Sequence, residues 1–536
     1  MPLRIYRPVI ARARANRLDV DSGAKVREGL STVTRGTLFL LIATLCLVGL
    51  NFASRVLVVR SISPSDWNAF SFGLTLVTIL SAFGTLGLPN AVARGIPYAS
   101  SDAERRTIVR GTLLIGSGSA AVAAVLLYVF APTIGSALGS PAITVALEFF
   151  PIALGASIVS GLTVSIFQGY EDVTPNAVFS QIVNPALFVV FLLIALVVPP
   201  NGITYTESLI AYTLANVVTL ALVLIYAWRR LPRRLPRGPQ APEALGRLLR
   251  FAAPLFVVGV MTSITGYGDT LILGIYHESE IGVYSNSLTL ARLVQIGISA
   301  SSFIFLPVAS KFLRQDDPRS IRITYATVTK WMTLVSLPLF ALFFFLPGES
   351  LGFVYGPSYA SVVLPLQIVV VGAFFTTLLG PSTTAQVVYG QTRLLAYNAV
   401  AAGALDFALS FALIPTYGYV GSAIAWASAN VAFFLLSLGE LILLSEVHPF
   451  RRHFVIPVVV TTIPIGALFA LVHWNVSGLL LVPLGLGIAV LFVVLVLVTR
   501  SIDDGDRLLL EAIERMAGRP LPLLRRLGRL ALRTPH

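Results

Sequence analysis

The chain is poor in charge and almost without cysteine. Only 12% of its 536 residues are Asp, Glu, Lys or Arg, roughly half the share of a soluble domain, so the charged shell of a water-soluble globule cannot be built from it. The single cysteine, Cys46, excludes an intrachain disulfide. Five histidines, His277, His448, His453, His473 and His536, are scattered without ligand spacing, and no metal site is expected. The absence of a GxxxxGK(S/T) loop excludes that cradle for nucleotide phosphates, and no cofactor is expected. Acidic residues are also few, 25 against 38 basic ones. Such an excess could suit a nucleic-acid binder, but the placement of the basic residues argues for a membrane instead.

Apolar runs are what the chain has in abundance. Hydrophobic residues make up 56% of it, in blocks of about twenty residues, long enough to cross roughly 30 Å of hydrocarbon as helices, where barrel strands would need only about ten. The expected fold class is therefore all-α, a polytopic membrane protein with about 14 transmembrane helices. The expected spans are 37–60, 67–89, 107–131, 142–167, 176–198, 203–228, 250–276, 283–310, 323–347, 360–388, 395–414, 418–445, 453–472 and 477–499. With these spans, all but four of the 38 Lys and Arg fall in the N-terminal arm, the even-numbered connections or the C-terminal tail. Arg60 lies in a connection on the other side, and Arg55, Arg292 and Lys330 lie within spans. By the positive-inside rule both termini face the cytoplasm.

Residues 1–36 read as a cytoplasmic basic arm, since Asp19, Asp21 and Glu28 suit an organelle transit segment poorly. The Pro/Arg-rich segment from Trp228 to Glu243 reads as a linker, 229–249, between an N-lobe of six spans (37–228) and a C-lobe of six (250–445). Two further spans occupy 446–499, and 500–536 reads as an amphipathic basic tail, with a disordered tail as the alternative. An internal duplication supports the lobes. Asn68 to Leu76 and Gly282 to Leu290 match at Ser71/Ser285 and throughout Leu-Thr-Leu. Leu88-Pro89 is echoed by Leu306-Pro307, and Gly169 with Asn176 by Gly390 with Asn398. Both halves start on the same side, so the repeats are parallel and related by an axis along the membrane normal.

Charged and polar groups inside spans cost at least roughly 2.5–3.5 kcal/mol at the bilayer centre and therefore mark function or pairing. Span eight carries Ser285, Thr289, Arg292, Gln295, Ser299 and Ser302 at three- and four-residue intervals, one polar stripe expected to line a cavity. Span one places Asn51 and Arg55 one turn apart, and span seven aligns Thr262, Thr265 and Asp269. The alternatives are ordinary. Small Ser and Thr can simply pack and bond to their own turn, Arg292 can pair with Asp269, Arg55 can snorkel to the interface, and Arg94 can serve as an end anchor. Asp269 and Asp406 are candidates for ion coupling, and Glu148, Lys330 and Glu440 also lie in or near spans. Pro185, Pro338, Pro365 and Pro381 mark expected kinks.

Several stretches resemble Wzx-type polysaccharide and oligosaccharide flippases of the multidrug/oligosaccharidyl-lipid/polysaccharide exporter superfamily. They are Arg60-Ser-Ile-Ser-Pro-Ser-Asp-Trp-Asn-Ala-Phe70, Leu86-Gly-Leu-Pro-Asn-Ala-Val-Ala-Arg94, Phe251-Ala-Ala-Pro254, Asp269 to Tyr276, Ile281-Gly-Val-Tyr284, and Leu413 to Ala425. Ser54-Arg55-Val56, Leu88-Pro-Asn90 with Arg94, and Ala291-Arg292-Leu293 are also similar to the lipid II flippase branch, although Gly95 follows Arg94 where that branch has a denser basic cluster. The resemblance implies a non-enzymatic flippase of the cell membrane that moves a polyprenyl- or dolichyl-(pyro)phosphate-linked oligosaccharide outward by alternating access. Substrate would be held by Arg55, Arg94, Arg292, Asn51, Thr289 and Gln295. Lipid-linked oligosaccharide and membrane lipids are the expected partners, with glycan polymerase or oligosaccharyltransferase machinery downstream and no nucleic acid. Two other functions compete: a cation-coupled drug exporter of the same superfamily, using Asp269 or Asp406, and a membrane glycosyltransferase.

Overall fold

The computed structural model describes residues 20–198, 202–234 and 241–445, together with 447–448 and isolated positions between 480 and 491. The expected arm 1–36 (up to residue 19), part of the linker, the spans at 453–472 and 477–499, and the basic tail lie outside the described residues.

The described residues form helices. In chain order they are α1 (Val20–Ser61), α2 (Pro64–Gly84), α3 (Leu88–Gly95), α4 (Asp102–Ala137) and α5 (Pro141–Gly169), then a π-helical stretch (Asn176–Val183) running into α6 (Asn184–Val197). There follow α7 (Tyr205–Arg234), α8 (Pro242–Tyr276), α9 (Ile281–Val294), α10 (Ile296–Arg314), α11 (Pro318–Phe345) and α12 (Pro347–Tyr355). The last are α13 (Leu364–Leu378), α14 (Ser382–Val388) and α15 (Thr392–Ser445). Among the described residues, ten helices are long and apolar enough to cross a membrane. Counting the two arms of α15 separately and the broken α9–α10 pair once, the described helices account for the first twelve of the fourteen expected spans.

The starts of these helices follow local chemistry. Ser63 and Ser101 accept from the backbone N–H of Asp66 and Glu104, three residues on, and Asp317 does the same for Ser320, so each supplies an oxygen to an otherwise unpaired first-turn donor. Helix α15 is a hairpin, not a rod. Gly418 sits at φ 54°, ψ −132°, a conformation that L side chains rarely adopt, and the chain turns back there. Asn398 on one arm reaches Ser437 (3.5 Å) and Glu440 (2.7 Å) on the other, which fixes the arms as antiparallel. Glu280 accepts from the Tyr419 N–H at 2.7 Å and caps the returning arm.

Two expected continuous spans are broken halfway. The stripe expected along 283–310 is interrupted at Gln295, where α9 ends and α10 begins, and α13 stops before Gly380 and Pro381. Freed backbone groups at such breaks must find partners in the absence of water, and α11 supplies them. Ser336 Oγ donates to the Val294 carbonyl at 2.6 Å, and the Tyr325 hydroxyl donates to the Leu379 carbonyl at 2.7 Å. Gly380, at φ 73°, lies against Thr329 of the same helix and has no room for a Cβ. Of the expected kink prolines, Pro381 marks this break, Pro185 marks the change from π- to α-helix, Pro365 lies in the first turn of α13, and Pro338 lies inside α11.

The core is one large apolar cluster joining α1 to α9 with α11, α13 and α15, and a smaller one around Phe305, Tyr325 and Leu441 in the other half of the C-terminal helices. The outward faces of α4, α6 and α7 expose Leu114, Val125, Leu126, Val197 and Leu224, the surface expected of helices bathed in lipid.

Candidate functional site

One end of the bundle is arginine-poor. It carries the turn at Ser61–Pro64, the short 3₁₀ turn Glu278–Glu280, the corner of α15 at Gly418, and α12. His277 Nε2 lies 3.3 Å from the Pro415 carbonyl there. The opposite, basic end carries Arg94, Arg105, Arg247 and Arg322. At the arginine-poor end, α2 is bonded directly to α9. Asn68 Nδ2 donates to the Ser279 carbonyl at 2.9 Å, and its Oδ1 accepts from the Gly282 N–H at 2.7 Å. The indole of Trp67 donates to the Gly282 carbonyl at 3.2 Å. Gly282 is the second residue of α9, so its N–H has no partner within that helix and Asn68 caps it from outside.

Directly beneath this seam, Arg55 of α1 extends to α9. Its guanidinium donates to both Ser285 Oγ and Thr289 Oγ1 and stands 5.0 Å from the ring of Trp67. These two hydroxyls lie one turn apart, and Thr289 itself donates to the Ser285 carbonyl at 2.9 Å. Arg55 is thus turned inward to α9. One turn further along, Arg292 is exposed and its guanidinium stands 5.1 Å from the ring of Tyr267 on α8. Eleven residues from the start of α9 correspond to about 16 Å of rise, close to the middle of a hydrocarbon layer roughly 30 Å thick. Arg55 and Arg292 are near enough to repel electrostatically, and Tyr267 and Tyr355 also face Arg55. Asn51 is exposed on α1, one turn from Arg55.

The remaining expected residues sit elsewhere. Arg94, at the end of α3, rests over Phe251 at 4.5 Å and Tyr98 at 5.6 Å at the basic end, away from the central pair. Gln295 occupies the break between α9 and α10, and its amide donates to Thr376 of α13 at 2.8 Å. The side chains of Ser299 and Ser302 are outside the described residues.

Asp269 and Asp406 form a second, deeper centre. Asp269 is fully buried and accepts from the Thr270 N–H at 2.6 Å and from the Tyr284 hydroxyl. Tyr284 also reaches the Ser422 carbonyl at 3.3 Å. Asp406 is 2% exposed, its Oδ1 has no hydrogen-bond partner, and the hydroxyls of Ser410 and Ser422 nearby in the chain fold are likewise without one. The two carboxylates interact electrostatically. Among the described residues no ion pair joins Arg292 to Asp269, and no group of three His, Cys, Asp or Glu is arranged to hold a metal.

The aromatic lining of the cationic centre, Trp67, Tyr267 and Tyr355, was not legible as such from the sequence. Trp67 stands in the quoted Ser-Asp-Trp-Asn-Ala-Phe stretch, which was its one signal. The centre offers two guanidinium groups, each able to grip a phosphate in a bidentate manner, beside aromatic rings that can hold a cation or a sugar face.

Comparison with known proteins bears on these features. Residues 33–313 match the family described as "Polysaccharide biosynthesis protein". The chain is similar to the succinoglycan biosynthesis transport protein ExoT of Rhizobium meliloti, at 24% identity over 302 residues that cover 55% of this chain and 57% of that protein. It thus spans little more than half of that relative. Among solved structures it is similar to the lipid II flippase MurJ in an inward closed conformation, with a TM-score of 0.68 and 14% identity over 85% of this chain and 98% of that one. An inward-facing multidrug resistance transporter of the MATE family matches with a TM-score of 0.60 and 13% identity over 76% and 98% of the two chains. A transporter of the same superfamily from Pyrococcus furiosus, described as having a binding pocket of reverse polarity, matches with a TM-score of 0.52 and 14% identity over 77% and 95% of the two chains. At these identities the likeness concerns the fold.

Proposed function

Because the chain belongs to the polysaccharide biosynthesis protein family and has the fold of the multidrug/oligosaccharidyl-lipid/polysaccharide transporters, we propose that it flips a polyprenyl- or dolichyl-(pyro)phosphate-linked oligosaccharide across the membrane. The observation that carries this reading is the pair Arg55 and Arg292, on helices that meet across the bundle, with Arg292 exposed at about half the depth of the bilayer. Such a cargo has an anionic phosphate, a wet glycan and an apolar tail. Cations inside a span are costly, and a phosphate arriving between them lowers that cost while gaining charge-assisted hydrogen bonds.

The lobes of the proposed mechanism are 37–228 and 250–445, and their parallel relation has a physical signature. Asn68 and Gly282 are matched positions of the two repeats, and they bond to each other. Residues next to a two-fold axis meet their own equivalents, which supports reading α2 and α9 as flanking an axis along the membrane normal. With the arginine-poor end outward, as charge bias requires, the seam formed by Asn68, Trp67 and Arg55 closes the outer side. Rocking of the lobes would break it and present the guanidiniums outward. Arg55, Asn51, Thr289 and Arg292 hold the head group, Arg94 guides it at the cytoplasmic end, and Gln295 pins the break in span eight. Asp269 and Asp406 couple the cycle to an ion. In a drug exporter they would have to meet the cargo, whereas here both are buried behind Tyr284. Sugar polymerisation or transfer belongs to separate machinery outside.

The test is a leaflet assay in proteoliposomes with a fluorescent lipid-linked oligosaccharide and an impermeant quencher. Wild type exposes the label to the outer leaflet, and Arg292→Ala leaves it protected while purifying and melting as wild type does. Equal flipping by Arg292→Ala removes the guanidinium pair from the mechanism. Dye export that depends on Asp269 favours the drug exporter, and sugar transfer by the purified chain favours the glycosyltransferase.

A further inference from the structure

A cavity of about 760 Å³ opens at the arginine-poor end, apart from the cationic centre. It is lined by Arg60 at the end of α1, by Pro347, Glu349 and Phe353 of α12, and by Pro357 and Val363 before α13. Its volume lies within the roughly 300–1,000 Å³ of small-molecule sites. Arg60 is already half engaged. Its Nε donates to the Val354 carbonyl at 2.9 Å and its Nη2 to the Phe353 carbonyl, satisfying acceptors in the last turn of α12 and leaving Nη1 for a ligand. The Glu349 carboxylate sits in the first turn of the same helix and is engaged by no hydrogen bond or ion pair among the described residues.

The lining therefore combines one aromatic ring, two prolines, one free cationic donor and one free carboxylate, with no net charge. A phosphate would meet Glu349 as well as Arg60, and an ammonium group would meet Arg60 as well as Glu349. A pyranose satisfies all of them: its C–H face lies on the Phe353 ring, and its hydroxyls donate to the carboxylate and accept from the guanidinium. The position is also telling. Helix α12 separates the cavity from the central site, since Tyr355, two residues beyond Phe353, faces Arg55.

We propose that this cavity is a saccharide-binding exit subsite, which receives the glycan part of the cargo as its phosphate leaves Arg55 and Arg292. The inference rests on the transport reading above. It adds a second recognition site, for neutral sugar hydroxyls, and gives Arg60 two tasks: holding α12 against α1, and contacting glycan on the outer side.

Saturation-transfer difference NMR on the full chain in lipid nanodiscs, with cellotetraose as probe, tests it. Wild type should transfer magnetisation to pyranose ring protons, and Phe353→Ala should bind roughly three- to tenfold more weakly. Phe353→Leu, which keeps apolar volume without the ring, should show the same loss, and Glu349→Gln a partial one. Tyr128→Leu, an exposed aromatic on the outward face of α4, should bind cellotetraose as wild type does. No transfer in wild type, unchanged binding in Phe353→Leu, or loss of binding in Tyr128→Leu each overturns the subsite. The transport reading fails separately: sugar binding without flipping refutes that reading alone, and flipping without sugar binding refutes the subsite alone.

Discussion

Replacing Asn68 by Ala should open the arginine-poor end. In the closed seam this one side chain donates to the Ser279 carbonyl and accepts from the Gly282 N–H, both at hydrogen-bond distance and with Asn68 6% exposed. Two hydrogen bonds contribute about 0.5–1.5 kcal/mol each, and leaving the buried Gly282 donor unpaired costs about 1–3 kcal/mol more. In the open state water reaches the same groups and the substitution costs little. The closed state should thus lose about 2–6 kcal/mol relative to the open one, a shift of roughly 30- to 20,000-fold in their ratio at 1.4 kcal/mol per factor of ten. An open population near 1% would then become a substantial fraction or the majority. Spin labels at Ser65→Cys on α2 and Ser358→Cys beside α12, both exposed positions, report the separation by pulsed electron resonance in a Cys46→Ser background. The expected result is one short distance in the parent and an added long component in Asn68→Ala. Identical distributions would show that the seam carries no weight in closure and refute the energetic reasoning.

Three other outcomes are expected. Asp406→Asn should keep or slightly raise thermal stability, because a buried carboxylate oxygen without a partner is removed, and should make flipping indifferent to the ion gradient; retained gradient dependence would relieve Asp406 of that role. Gly380→Ala should destabilise by about 2–5 kcal/mol in a detergent melt, because left-handed backbone costs roughly 1–2 kcal/mol with a side chain and overpacking against Thr329 about 1–3 kcal/mol, with an unshifted melt counting against the break's being fixed. Glu280→Ala removes the cap of the returning arm of α15 and should cost about 0.5–2 kcal/mol, read as a lower melting temperature and faster amide exchange near Tyr419.

Helical, membrane-spanning character was legible because it needs only run length and charge scarcity, and both are properties of composition. The hairpin of α15 was legible for the same reason: a largely apolar stretch of 54 residues is too long for one crossing, and Gly418 is the point between two span-sized runs. The break at Gln295 was not. A polar stripe at helical spacing runs straight through it, and what steadies the break comes from elsewhere: Ser336 on α11 bonds the freed Val294 carbonyl, and Thr376 on α13 accepts from the Gln295 side-chain amide. Arg55 and Thr289 were placed on one wall by periodicity within their own helices. That they bond to each other depends on how α1 meets α9, a long-range fact that no local pattern encodes. Arg94, which the resemblance associates with substrate, stands at the basic end beside Phe251 and Tyr98, away from the central pair.

The separation of the two charged centres itself constrains the cycle. Arg292 is exposed beside Tyr267, whereas Asp269, close enough to attract it, is buried beneath Tyr284, so α9 carries both a cargo contact and, about two turns earlier, the carboxylate's hydroxyl partner. An ion binding at Asp269 and Asp406 would pull on the Tyr284 hydroxyl and, through α9, on Arg292 and the Asn68 seam, without touching the cargo. A coupling of this kind must be reciprocal: if the ion favours the closed seam, breaking the seam must weaken the ion. Sodium and proton binding to Asn68→Ala, measured by calorimetry, should therefore be weaker than in the parent by the factor by which the closed fraction falls. Unchanged ion affinity beside a clear opening would mean that α9 does not connect the two centres.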